Sequence, residues 1–466
     1  MQKNKTEGVK TLLGEPKKAI MKLAIPMIAA LLIQTLYNLV DALWVSGLGA
    51  DALAAVGFVF PFFMIIMALG TGIGMGAGSA ISRKIGAEDK TGADAVAAHS
   101  IVLFFIITIL VTIPFYTLAQ PLFEAIGAGR TLQFTVSYAQ VIFLGTFFIF
   151  FSNIANAILR GEGDAKRAMY ALALGSILNV ILDPIFIYTL NLGVAGAAWA
   201  TILSFAISSI FLANWLFFKK NTFVNFTFKG FHFDKNILKD IFGVGLPASV
   251  AQLSMSISML VINLLIVFIT NGSVDGIAIY STGWRVAMIA VLPVMGIATA
   301  VMSVSAAAYG AKAYEKVNIC LAYSVKIGFL FELIIAMVIF IFAPQIASVF
   351  TRAEGATHLT DGLTLFLRIM SIYYPSISLG MLSSSLFQGV GKGFNAFIAT
   401  ILRTIIFTIP LILVFAIIFN GGLVGIWWGI VFANIISSVI IFIWVRTYIK
   451  HLMKTHISRG ATSEKI

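Results

Sequence analysis

Hydrophobic residues fill this chain in long blocks broken by short polar stretches. A helix needs roughly 20 apolar residues to cross a bilayer core, and longer blocks can tilt. Twelve blocks meet that length: 19–46, 52–82, 93–119, 131–159, 167–190 and 194–218, then 237–270, 276–308, 315–343, 361–388, 395–419 and 424–449. Lipid offers no partner for a backbone amide, so each block is expected to be a helix and not an open sheet. The pattern predicts an all-α membrane protein with twelve transmembrane helices, here called spans one to twelve.

Composition works by exclusion. The chain has 466 residues, 60% hydrophobic and 11% charged, with a mean hydropathy of +1.00. Soluble domains carry about 25% charged residues, and a chain this apolar could not cover itself in water. Soluble enzymes and nucleic-acid-binding proteins are therefore excluded. A single cysteine, Cys320, leaves no disulfide framework or thiolate metal cluster. No Ser/His/Asp, Cys/His or HExxH set is present, so neither catalysis nor a cofactor is expected.

The formal charge of +12 reads as topology. Basic residues gather in the N-terminal segment (Lys3, Lys5, Lys10, Lys17, Lys18, Lys22) and in the loops after spans two (Arg83, Lys84, Lys90) and four (Arg160, Lys166, Arg167). More follow span six, from Lys219 to Lys239, and span twelve, from Arg446 to Lys454. Loops on the opposite side hold Arg130 and Arg352. The positive-inside rule then makes both termini cytoplasmic. A multi-pass protein of the plasma (inner) membrane is expected, with anionic lipid headgroups and not nucleic acid against its basic face. The segment before span one lacks the short apolar core and cleavage site of a signal peptide. The expected organisation is a cytoplasmic N-terminal segment (1–18), an N-terminal lobe (19–218), a cytoplasmic linker (219–236), a C-terminal lobe (237–449) and a cytoplasmic tail (450–466).

The halves resemble each other weakly. Pro26 in LAIPMIAAL pairs with Pro247 in VGLPASVAQL, and LRGEGDA from Leu159 pairs with FQGVGKG from Phe387. Each half has six spans and starts on the same side. The lobes are thus expected to be parallel repeats, related by a pseudo-two-fold axis along the membrane normal.

Ionisable groups inside spans are costly and mark function by default. Gln34, Tyr37, Asn38 and Asp41 recur at i, i+3, i+4 and i+7, one stripe of span one that faces protein or water. Asn179 and Asp183 share a face of span five, and Pro184 leaves the Val180 carbonyl without its amide. Span four offers Tyr138, Asn153 and Asn156, and span six offers Thr201. At the matching places of the second half stand Ile262, Leu411, Phe407 and Ile430. One-sided placement favours an ion site over general helix-packing glue. Two carboxylates in a poorly solvated pocket cannot both stay charged cheaply, so one takes a proton or a bare cation neutralises them. Asp41, Asn179, Asp183 and Thr201 have oxygens enough for sodium, and the residues leave proton and sodium both open.

These residues also carry a family resemblance. The stretches ILDPIFIY (Ile181–Tyr188), LRGEGDAKRAM (Leu159–Met169), GVAGAAWATILS (Gly193–Ser204) and LYNLVDALWVSGLGADALAAVG (Leu36–Gly57) resemble the multidrug and toxic compound extrusion (MATE) transporters over essentially the whole chain. The resemblance implies antiport: amphipathic, often cationic compounds leave as protons or sodium enter, by alternating access between two lobes. It is strongest to the DinF-type branch, whose acidic site lies in the N-terminal lobe. That branch's cation positions match Asp41, Asn179, Asp183 and Thr201, with Tyr138 nearby. Gln34, Tyr37, Asn38, Asn153, Asn156 and Arg285 are expected to line the substrate cleft, Pro26 to act as a hinge, and the chain to work as a monomer.

Other features weigh less. The series Gly70, Gly72, Gly74, Gly76 and Gly78 fits small-residue helix packing, since no phosphate-loop pattern is complete. Arg285 and Arg403 lie deep in apolar blocks and are expected to pair with an acid such as Glu332 or to snorkel; Lys326 and Arg368 are expected to snorkel. Glu332, in span nine, fits neither the DinF-type branch nor the other main bacterial branch, whose resemblance would imply acids in spans seven, eight and ten. Two other functions are kept open by analogy of fold: a lipid-linked precursor flippase of the same superfamily, and an uncoupled channel or scaffold.

Overall fold

A computed structural model describes residues 6–219, 221–226, 228, 231–272, 274–352 and 357–463, with side chains as far as 455. The expected terminal segments and linker lie partly outside these residues. The described chain is almost entirely helical. A short α1 (Glu7–Leu13) precedes α2 (Pro16–Ser46), α3 (Ala50–Gly86) and α4 (Lys90–Thr117). Then come α5 (Ala119–Ile126), α6 (Leu132–Leu144), α7 (Thr146–Gly161), α8 (Ala165–Pro184) and α9 (Gly193–Ala213). The second half runs through α10 (Lys235–Ile269), α11 (Val274–Ala290), α12 (Leu292–Gly310), α13 (Tyr314–Ile341) and α14 (Ala343–Phe350). It ends with α15 (Thr360–Ser371), α16 (Tyr374–Gly389), α17 (Gly393–Ile401), α18 (Thr408–Leu413) and α19 (Gly422–Ser463).

Among the described residues, ten helices are long and apolar enough to cross a membrane, and two bent pairs, each taken as one span, bring the number to twelve. The bent pairs are spans four and ten, which the hydropathy pattern rendered as single helices. The break at Gly145 bends α6–α7 by 43°, and that at Ile372–Tyr373 bends α15–α16 by 52°. Each half also carries a short helix, α5 or α14, just ahead of its bent span. The shared irregularity is a stronger sign of internal repetition than the sequence pairs.

The chain forms two compact units. One holds the residues up to Glu15 together with Ile25–Ser249; the other holds Pro16–Ala24 and the chain from Val250 onward. The chain changes unit inside α2 beside Pro26, and again inside α10 just after Pro247. Proline deletes an amide from the helical ladder, so both crossings fall where helix bonding is weakest. In the second unit Lys17 sits 6.0 Å over the Tyr323 ring.

The glycine series explains the close packing of the first unit. Gly70, Gly74 and Gly78 repeat every four residues and turn one face of α3 to α7; a Cβ on Gly78 would lie 2.7 Å from the Ala157 carbonyl oxygen. Gly72 and Gly76 face α10 instead, and a Cβ on Gly76 would lie 2.1 Å from the Ile241 oxygen. Two small-residue stripes on one helix let two neighbours approach to backbone contact.

The segment between α9 and α10 has little structure of its own, so its amides need partners elsewhere. Glu162 takes two of them, from Phe223 at 2.8 Å and Val224 at 3.2 Å. Asp94 accepts from the Asn225 amide at 2.7 Å. His99 Nε2 accepts from Asp234 at 3.0 Å while Nδ1 faces the Ala95 carbonyl at 2.7 Å. The expected linker is thus strapped to the first unit. Glu162, at the end of α7, is 1% exposed. Burial pushes its carboxyl up from 4.5 to about 8, against the pull of the Val224 and Phe223 amides.

The folded protein therefore keeps a proton on Glu162 that the unfolded chain releases above its ordinary pKa. Stability from this group is largest in acid, falls as pH rises from about 4.5 to about 8 and is flat above that. Glu162→Gln retains an acceptor but cannot ionise. Thermal unfolding of the variant, followed across that window, is expected to lose about one proton's worth of pH slope relative to wild type. Equal slopes would contradict the assignment.

Candidate cation-coupling site

The site is built within the first unit from α2, α6, α8 and α9. Asn179 and Asp183 lie one turn apart on α8, so both point to the same side. Asn179 Nδ2 donates to Thr201 Oγ1 on α9 at 3.2 Å and lies 3.4 Å from Asp183 Oδ1. Thr201 Oγ1 donates in turn to the Ala197 carbonyl at 3.0 Å. Asp183 is 0% exposed. Its Oδ2 and the Asn179 Oδ1 have no hydrogen-bond partner among the described residues. Asp41, half-buried on α2, brings its carboxyl close enough to Asp183 to interact side chain to side chain. Tyr37 and Tyr138 flank the pair, each within reach of both carboxyls.

Local backbone geometry accounts for this placement. After Pro184 the helix widens into a π turn, Ile185–Thr189. That wide turn projects Tyr188 back to α2, where its hydroxyl donates to the Trp44 carbonyl at 2.6 Å. Ile187 packs with Val45 and Ala197, and Trp44, Leu48 and Tyr138 cover them. An apolar plug therefore lies next to Asp41, and a hydroxyl latch holds α2 three residues further along.

A pocket open to the outside lies beside Asn179 and Thr201. Gln34 and Tyr37 line it, with Ser152, Ser176, Ser204 and Ser208. The stripe on span one thus divides: Gln34 and Tyr37 reach the cavity, Asp41 meets Asp183, and Asn38 is exposed. Asn153 is engaged elsewhere, accepting from Thr71 Oγ1 of α3 at 3.4 Å and donating to the Ile149 carbonyl at 2.9 Å. Asn156 is buried and donates to the Ser152 carbonyl at 2.9 Å.

The serines were not singled out from sequence, although Ser204 and Ser208 repeat at i, i+4 on α9. Tyr188 ends the ILDPIFIY stretch, and the family resemblance implies no role for it. Arg285 is exposed, as snorkelling requires, and among the described residues no salt bridge joins it or Arg403 to Glu332. Pro26 is buried, and α2 runs through it as one helix. Ile262 and Ile430, at the second unit's matching positions, are buried apolar residues.

Chemically, the arrangement can hold one positive charge. Two carboxyls, a threonine hydroxyl and a free amide oxygen converge, and a proton or a hard monovalent cation would relieve the carboxyl pair. No cluster of three or more His, Cys, Asp or Glu is present among the described residues, so a tightly held transition metal does not fit.

Ten to twelve candidate spans among the described residues, with a buried acidic pair in the first unit, mark a membrane protein of the transporter kind, and comparison with known proteins gives its family. The family model described as MatE matches residues 26–185 and 247–414, one stretch in each half. The chain belongs to the MATE family. It is 28% identical over 428 residues to the "Multidrug export protein MepA" of Staphylococcus aureus (strain N315), covering 91% of this chain and 92% of that protein. Among solved structures, "Crystal structure of MATE in complex with MaL6" is similar with a TM-score of 0.94 at 46% identity, covering 96% of this chain and 100% of that one. A structure of a superfamily transporter from Pyrococcus furiosus, whose description speaks of a reverse polarity of its binding pocket, gives a TM-score of 0.92 at 46% identity, covering 96% and 99%. Another, of a "MATE P26A mutant", gives 0.93 at 45% identity over the same shares of the two chains.

Proposed function

We propose that this protein is a multi-pass exporter of small amphipathic, often cationic compounds, driven by the inward flow of protons or sodium through the Asp41–Asp183 site. Family membership and the multidrug export protein among its relatives support the export. The observation that carries the coupling is the fully buried Asp183, with one carboxylate oxygen unpartnered, facing Asp41 beside a polar cavity. Such a pair is stable when it binds one cation and strained when it binds none. Binding and release of that cation therefore bias the packing of α2, whose far end the Tyr188 latch restrains. The plasma membrane, both termini cytoplasmic and a monomeric working unit belong to the same reading.

The test is efflux from liposomes of purified protein, with tetraphenylphosphonium as the probe and a proton or a sodium gradient imposed separately. Accumulation against the probe's own gradient under one of the two is expected. Equal rates with and without either gradient would leave an uncoupled pathway. Movement of a fluorescent lipid-linked pyrophosphate in place of the probe would point to the flippase.

A further inference from the structure

The second unit contains a buried acid that the cation-coupling site does not use. Glu332 lies about two-thirds of the way along α13 and is 0% exposed, and neither carboxylate oxygen has a full hydrogen bond among the described residues. Three irregular pieces of backbone meet around it. First, the chain is interrupted at Val291 between α11 and α12. Pro293 follows in the first turn of α12, and the Val294 amide of that turn is near enough to act on the Glu332 carboxyl. Gly328, one turn before Glu332, brings α13 against this joint, with its Cβ position 3.6 Å from Val294 Cγ2.

Second, Tyr373 and Tyr374 sit in the bend between α15 and α16, and both are within electrostatic reach of Glu332. The Tyr374 hydroxyl is itself buried without a partner. Third, Arg403 lies on the π turn Leu402–Ile406 and faces Tyr373, not the acid. Broken helices are tolerated at membrane depth where they are buried in protein or line a site, and in transporters they mark places where ions bind.

Of the other charged groups on these elements, Arg285 of α11 is exposed. Lys326 and Arg368 are exposed, with Arg368 5.7 Å over the Phe340 ring. Tyr280 interacts with Tyr373 and stacks on Trp427. On α19, Tyr448 joins Tyr309 and Tyr314 at the start of α13, about 27 Å along that helix from Glu332.

We propose that Glu332 is a second proton-binding site, within the C-terminal unit, where the α11–α12 interruption at Val291 meets the bent span α15–α16. Loading the proton leaves a neutral carboxylic acid, which suits an apolar surrounding with no counter-ion. Unloading it leaves a carboxylate that the first-turn amide of α12 and the Tyr374 hydroxyl can each satisfy, because helix N-termini favour negative charge. Reversible protonation therefore changes which groups hold the two joints. As a part of transport this deepens the ion-coupled reading and rests on it; as a titrating site it stands alone.

The test uses purified full-length protein without substrate or gradient, followed by infrared pH-difference spectroscopy and by proton uptake between about pH 5 and about pH 10. Wild type is expected to show a protonated-carboxyl C=O band that Glu332→Gln removes, together with about one proton of uptake, and that Asp41→Asn keeps. Spectra and uptake in Glu332→Gln equal to wild type would overturn the proposal, making Glu332 a fixed cap on α12. If Glu332→Gln does not fold, Tyr374→Phe retains the ring and is expected to shift the band or its midpoint. A carboxyl spectrum in that variant identical to wild type would also overturn it. Wild-type efflux by Asp41→Asn with the Glu332 band present would remove the N-terminal coupling assignment and leave this one standing.

Discussion

Replacing Asp41 or Asp183 with asparagine is expected to lower gradient-driven efflux by more than about tenfold, to near the level of empty liposomes, because an amide cannot exchange charge with an incoming cation. The fold should survive. Asp183 accepts from Asn179 through Oδ1, and an asparagine there can present its own Oδ1 to the same donor. Its neutral side chain also removes the charge repulsion that a bare pair must bear. The melting temperature of each variant is therefore expected to match or exceed that of wild type. The double variant should transport no worse than either single one, since two groups that bind one cation together are not additive. Reconstituted transport beside thermal unfolding separates the outcomes. Wild-type rates in either variant would remove the pair from coupling, whereas lost rates with a collapsed melting temperature would make it structural.

The second large effect falls on stability. Gly76→Ala places a methyl 2.1 Å from the Ile241 carbonyl oxygen and 3.0 Å from the Gly245 amide nitrogen, both backbone atoms of α10. Neither can rotate away as a side chain would. The helices must separate, and overpacking of this kind costs about 1–3 kcal/mol, more for a larger residue. Gly57→Ala is the internal control, because nothing lies within 4 Å of its Cβ position. There the substitution should be neutral or stabilising by about 0.5–1 kcal/mol, since glycine weakens a helix interior. Melting temperatures in detergent check both. If the two alanines behave alike, close approach of α3 to α10 is not what the glycine stripe provides.

The parts of the site that the sequence disclosed share a physical cause. Asp41, Asn179, Asp183 and Thr201 stand out because a polar side chain inside an apolar block is expensive, so each one needs a reason. Helical periodicity then sorted Asp41 with Tyr37 and Gln34, and Asp183 with Asn179, onto single faces. Nothing along the chain could say that Asn153 would turn to Thr71 of α3 while Gln34 lined the cavity. Glu332 stands out as an isolated acid, but its surroundings depend on an interruption at Val291 and a bend at Tyr373 that hydropathy averages away. Glu162 was missed altogether. It lies at a helix end, where acids are ordinary, and its partners are main-chain amides of the 219–236 segment, which carry no residue-specific signal.

The chain by itself determined the solvent it lives in, the number of spans, their repetition and the half that carries the aspartate pair, because the cost of polar groups in lipid is met residue by residue and in order. Tertiary structure alone decided which oxygens face each other, where α2 and α10 change units, and which glycine stripe meets which helix. Those outcomes follow from distances between residues far apart in sequence, set by backbone approach and by proline-weakened turns, and no local pattern encodes them.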